Sequence, residues 1–81
     1  MQIKLIAFGI AKDILQTQHL SVELLETEVD IQTVKQKLLE KYPAFAKLKS
    51  LAFAVNEEYQ ADDFLLKDQD ELVIIPPVSG G

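Results

Sequence analysis

The strongest constraint on this chain lies in its last ten residues, Leu72-Val73-Ile74-Ile75-Pro76-Pro77-Val78-Ser79-Gly80-Gly81, an apolar run that meets two prolines and finishes in two glycines. β-Branched residues favour a buried strand, and neither proline can donate to a sheet ladder, so a sheet containing this run must release the chain here. Each proline fixes φ at about −65° and pushes its predecessor to extended geometry, which predicts a stiff stalk from Ile75 to Pro77. Gly80 and Gly81 carry no Cβ, so backbone and terminal carboxylate can pass through a gap too narrow for side chains. The bland alternative is a frayed end. At a glycine frequency of about 7%, a terminal pair arises by chance in roughly one chain in two hundred, which weighs against it. The expected organisation is a folded body over residues 1–75 and an extended tail over 76–81.

Eighty-one residues make one small domain with little room for an enclosed active site. The chain is 48% hydrophobic and 26% charged, with no low-complexity stretch or repeat, so it is expected to fold as a globular unit. It has no cysteine, which excludes disulfides, thiolate nucleophiles and thiolate metal sites and fits a reducing compartment. Met1 is followed at once by a strand pattern, and no apolar run approaches the ~18 residues of a membrane span, so a cytosolic protein is expected. Thirteen acids against eight bases give a net charge of −5, which argues against nucleic acid or a membrane as partner and favours a basic protein surface.

Gln2 to Phe8 alternates in polarity and predicts a strand, central because it starts so early. Ile10 to Gln16, after Gly9, predicts a short helical turn at the sheet's end, and Ser21 to Glu26 predicts a hairpin partner for the first strand. Asp30 to Lys41 predicts the main helix, with Val34, Leu38 and Tyr42 stepping by four and Ile31 and Leu39 widening the stripe. Asp30 as N-cap sets Val29 against Val34, whereas Thr33 forms a Thr33-Val34-Lys35-Gln36 capping box; the box favours Thr33. Pro43 ends the helix. Ala52 to Val55 predicts a strand closed by Asn56 at positive φ, with a brief strand around Tyr59, apolar cover from Phe64-Leu65-Leu66, a polar turn over 67–70 and a last strand from Glu71 to Ile75. The order is that of an α+β, β-grasp (ubiquitin-like) fold: a mixed four- to five-stranded sheet with one main helix and a short second one, in which a right-handed crossover sets the last strand beside the first.

The ingredients of a self-contained enzyme are missing. His19, the sole imidazole, reads as a partly exposed residue at a strand's start, with no Ser or Cys arranged around it. Asp62, Asp63, Asp68, Asp70 and Glu71 lack the spacing of a calcium loop and read as turn residues, so no metal is expected. No Gly-rich loop follows a strand, so phosphate cradling has no candidate. The sheet surface says more. Alternation assigns Ile3, Leu5, Leu72 and Ile74 to the face under the helix and turns Ile6, Phe8, Val73 and Ile75 away from it, joined by Tyr59 and Phe53. So many apolar side chains on a wet face predict a partner surface, unless a loop or the short helix covers them.

Ala54-Val55-Asn56, Leu66-Lys67-Asp68-Gln69-Asp70-Glu71-Leu72 and Pro76-Pro77-Val78-Ser79-Gly80-Gly81 together resemble the molybdopterin synthase small subunits, the MoaD type of sulfur carrier, over the whole chain. That family has glycine where Gln69 stands. The resemblance implies a sulfur donor in a heterotetramer rather than a catalyst. An E1-like adenylyltransferase using ATP and magnesium makes the Gly81 acyl-adenylate, so nucleotide meets this chain only there and no cofactor is bound by the chain itself. Sulfur transfer then gives a thiocarboxylate, which the large subunit accepts for attack on cyclic pyranopterin monophosphate. The implied site is Gly81, carried by Pro76, Pro77, Val78, Ser79 and Gly80, with Phe8, Tyr59, Val73 and Ile75 at the partner interface; Lys4 and Lys12 match basic family positions near the partner. The same Gly-Gly end also suits a thiamine-type sulfur carrier or a ubiquitin-like modifier, and a passive binding module has no use for it.

Overall fold

Parallel strands need a crossover, and the chain supplies one between its first strand and its last. The computed structural model describes residues 1–48 and 51–76. Strand β1 (Gln2–Ala7) is followed by helix α1 (Gly9–Leu15), β2 (His19–Glu23), the two-residue β3 (Val29–Asp30) and helix α2 (Ile31–Lys41). A 3₁₀ turn (Pro43–Lys47) leads to β4 (Ala52–Val55), β5 (Glu58–Gln60), the two-residue β6 (Leu65–Leu66) and β7 (Glu71–Ile75). The main sheet runs β2-β1-β7-β4-β5, with β7 parallel to β1 and antiparallel to β4. A second ladder pairs Val29 with Leu66 and Asp30 with Leu65. This is the expected β-grasp, with β1 inside the sheet and β7, its middle strand, beside it.

The helix-side face of the sheet is the core. Ile3, Leu5, Leu72 and Ile74 are at most 1% exposed and cluster with Ile31, Val34 and Leu38 of α2, Phe45 of the 3₁₀ turn and Leu66. Each such side chain stabilises by about 1.5–3 kcal/mol relative to exposure, and among the described residues no polar side chain is buried with them. Helix α1 adds Ala11 and Leu15 to the same cluster. No helix among the described residues is long and apolar enough to cross a membrane.

Several local expectations need correction. Asp30, not Thr33, caps α2: its Oδ1 accepts the Thr33 amide at 2.8 Å and the Thr33 hydroxyl at 2.6 Å, so Thr33 is a donor to the cap rather than the cap itself. The remaining first-turn amides of Ile31 and Gln32 find the carbonyls of Phe64 and Asp62, contacts made by tertiary structure that no capping box could announce. Strand β2 starts at His19 and ends at Glu23, earlier than the expected 21–26, because its register is fixed by pairing along the whole of β1. Leu25 is consequently outside the strand and 99% exposed. Leu65-Leu66 is a strand rather than mere cover. Phe53 lies opposite Ile74, hence on the core face, and is only 2% exposed.

The turns follow their expected chemistry. Asn56 and Glu57 join β4 to β5 with φ of 49° and 75°, the positive pair of a type I′ hairpin. Gln69 adopts φ 71° and donates its amide to the Gln2 carbonyl at 2.7 Å, so glutamine here occupies a conformation that costs a side-chain-bearing residue about 1–2 kcal/mol.

Two measurements check these assignments. Phe53→Ala should destabilise by about 3–5 kcal/mol in urea denaturation, while Tyr59→Ala, from a 72% exposed position, stays within about 0.5 kcal/mol; equal effects contradict the register. The hydrogen bonds from the Thr33 hydroxyl and amide hold the Asp30 carboxyl below its ordinary value of 3.8. Its contribution is therefore complete above pH 3.8 and lost as pH falls through the lowered folded value. Asp30→Asn, which still accepts a hydrogen bond but cannot titrate, should lose less stability than the parent over that acid range, and parallel melting-temperature curves contradict the cap's role.

Candidate functional site

The ladder register lays the outward side chains out in rows. Across the five strands of the main sheet run His19, Ile6, Val73, Ala54 and Tyr59. One step along β7, Ile75 lies opposite Ala52, and Phe8, next after Ala7, continues the row on the β1 side. On the other side the row is polar, with Ser21, Lys4 and Glu71. The outer face thus carries an apolar patch that borders charge at one end and the root of the tail at the other. Phe8 is 49% and Tyr59 72% exposed, while Ile6, Val73 and Ile75 are partly covered by their strand neighbours. The covering alternative fails for α1, which turns Ala11 and Leu15 into the core cluster on the opposite side of the sheet. Phe53 is not part of this patch; Ala54 holds its place between Val73 and Tyr59, since a one-residue change of register exchanges the faces. The pairing partner of Val73 was the signal that could have identified Ala54.

The root of the tail is set at the same edge of the patch. β7 ends at Ile75, and Pro76 follows. Gly9, which opens α1 at φ 56°, comes close enough that a Cβ there would lie 3.9 Å from the Pro76 ring. That is ordinary packing distance, so glycine is required at residue 9 by its backbone conformation rather than by crowding. Sequence reasoning took Gly9 as punctuation and missed that it backs the tail root. Pro77, Val78, Ser79, Gly80 and Gly81, the reactive end of the expected site, lie outside the described residues.

The remaining candidates are accounted for by structure. His19 is exposed at the start of β2, as expected. Asp68 accepts the Gln2 amide at 2.7 Å, and Asp70 accepts the Lys67 amide at 2.8 Å and the Asn56 side-chain amide at 3.2 Å. Asp62 pairs with Lys35 at 3.7 Å. These carboxylates are occupied in holding turns and in an ion pair, and among the described residues no group of acids or histidine has the arrangement to hold a metal ion. Lys4 and Lys12 are exposed, on the outer face and on α1 respectively. An apolar face beside the start of a proline-led tail can dock a partner and deliver a chain end into it.

Comparison with known proteins agrees. The model of the ThiS family matches residues 6–81. A "Molybdopterin synthase sulfur carrier subunit" from Caenorhabditis briggsae is 36% identical, covering 100% of this chain and 99% of the relative. Among solved structures, the complex of subunits 1 and 2 of molybdopterin-converting factor from Helicobacter pylori contains a chain 26% identical at a TM-score of 0.68, with 100% of each chain covered. The small archaeal modifier protein 1 from Methanosarcina acetivorans is 25% identical at a TM-score of 0.77, covering 99% of this chain and 96% of that one. Matched over its body and its tail alike, the chain belongs to the ThiS family, among the molybdopterin synthase sulfur carrier subunits.

Proposed function

We propose that this chain is the sulfur carrier of molybdopterin synthase and that Gly81 is its working residue. The observation that carries the reading is that similarity to sulfur carrier subunits runs the full length of the chain, through the Gly-Gly end. A carboxylate is a poor electrophile. ATP and magnesium on an E1-like adenylyltransferase convert the Gly81 carboxylate into an acyl-adenylate with release of pyrophosphate, and a sulfide-level sulfur nucleophile then attacks the acyl carbon and displaces AMP to leave a thiocarboxylate. The chain next docks on the large subunit, where the Gly81 sulfur attacks cyclic pyranopterin monophosphate; acids and bases for that step belong to the large subunit. The complex of the two subunits from Helicobacter pylori supports such a partner. The cytosol is the proposed place of action.

The body supplies the geometry. Ile75 is locked by pairing with Ala52, so the tail begins from a fixed point beside the apolar patch of Phe8, Val73 and Tyr59. The six residues from Pro76 span about 20 Å when extended, enough to reach from a docked face into a buried pocket. A modifier reading draws on the likeness to the archaeal modifier protein and uses the same Gly81, joined there to lysines. The two readings differ in the bond that Gly81 forms.

With each chain first converted chemically to its C-terminal thiocarboxylate, deleting Gly81 should abolish conversion of the pterin precursor by purified large subunit while changing stability by less than about 0.5 kcal/mol, because the reacting carboxyl retreats by about 3.3 Å and misplacement of about 1 Å can cost 100-fold. Full conversion by the shortened chain sinks the sulfur-carrier reading. Ile75→Lys should leave the melting temperature nearly unchanged but weaken large-subunit binding by about 30-fold or more, the usual size for an interface anchor. A strong thermal shift with unchanged affinity instead places Ile75 in the core and not at the interface.

A further inference from the structure

A second surface, separate from the outer face and the tail, lies on the other side of the sheet. β2 is an edge strand, paired on one side only. The Ala7 amide donates to the Gln18 carbonyl at 2.9 Å and the Leu24 amide to the Met1 carbonyl at 2.8 Å. By the alternation of an antiparallel ladder, Leu20 and Val22 spend their backbone groups on β1, and those of Ser21 and Glu23 point out of the sheet. Beside this open edge is a cleft of about 200 Å³ between β2 and α2. Leu20 and Val22, only partly buried, form one wall, and Val34 and Leu38 the other. Lys37 and Lys41 stand on the α2 side, exposed, and neither joins the ion pair found among the described residues. Glu23 also borders the cleft, on its edge strand, while alternation with Val22 assigns its side chain to the opposite face of the sheet. At the end of the strand Leu25 is fully exposed.

We propose that this cleft docks an extended, apolar segment of a partner protein, which adds to the edge of β2 as a further strand and presents acidic residues to Lys37 and Lys41. Backbone bonds to Ser21 and Glu23 provide the pairing, and alternate side chains of the segment fill the space over Leu20 and Val22. Charge selects the occupant. In a chain of net charge −5, two lysines with no carboxylate partner among the described residues, Lys41 resting over the Tyr42 ring at 5.8 Å, make a local positive site that complements an acidic segment, whereas a second copy of this acidic chain complements it poorly.

The test titrates the full chain with a blocked peptide of alternating valine and threonine closed by three aspartates, followed by amide NMR and hydrogen exchange. Saturable shifts and slowed exchange at Ser21 and Glu23 are expected, with affinity falling as salt rises. Ser21→Pro removes an outward amide without deleting a ladder bond and should weaken binding about tenfold or more. Lys37→Glu with Lys41→Glu, which leaves β2 intact, should weaken it about tenfold and decides the matter if the proline variant does not fold. Absence of shifts at Ser21 and Glu23, or affinity unchanged in the lysine variant, overturns the proposal. Protection of those amides that grows with chain concentration in the absence of peptide also overturns it, by assigning the edge to a second copy.

Discussion

The parallel pairing of β1 with β7 is the constraint on which the rest of the structure depends. It joins residues from the two ends of the sequence, Leu5 to Leu72 and Ala7 to Ile74, so a long loop must be closed before any of its hydrogen bonds form. The crossover through α2 makes that closure productive, because the same step lays Val34 and Leu38 over Ile3, Leu5, Leu72 and Ile74. Register then fixes both faces at once. With one side of the ladder sealed under the helix, Ile6, Val73 and Ile75 have no alternative to the outer face. The start of the tail is brought beside Phe8 by the same pairing.

That arrangement separates core from surface along a single strand. Leu72 and Ile74 hold the fold, Val73 and Ile75 face outward, and the chain leaves the sheet at Pro76. The buried residues contribute kilocalories each, while the last residues have no side chains to bury. A chain end can therefore be committed to chemistry at little cost to the body that carries it. The turn network around Asn56, Asp68 and Asp70 ties β1, β4 and β7 together at the far end from the tail, and it uses acids that in another setting would suggest a cation site.

Much of this was legible in the sequence, for identifiable reasons. β1, β7 and α2 have long, regular periodicity, and their core and outer faces came from alternation alone. Asn56 announced its positive φ through its side chain. What was not legible depended on partners distant in sequence. Asp30 competes successfully with Thr33 because the strand pair of Val29 and Asp30 with Leu66 and Leu65 fixes the approach to α2. The phase of Phe53 is hidden in the sequence because a four-residue strand has too short a period to reveal it without Ile74 opposite. Gly9 could be read as a break, but its position behind Pro76 is set by tertiary structure. The tail from Pro77 onward lies outside the described residues, and the fold accounts for where the chain leaves the sheet.

The central claim, that Gly81 carries sulfur, is tested most directly by intact-mass spectrometry of the chain isolated from its own cells, with fragmentation to locate any change. The account predicts a fraction in which one oxygen is replaced by sulfur, confined to the C-terminal carboxyl of Gly81. A chain found only with its ordinary carboxylate under conditions of active cofactor synthesis, or only joined through Gly81 to lysines of other proteins, would contradict it.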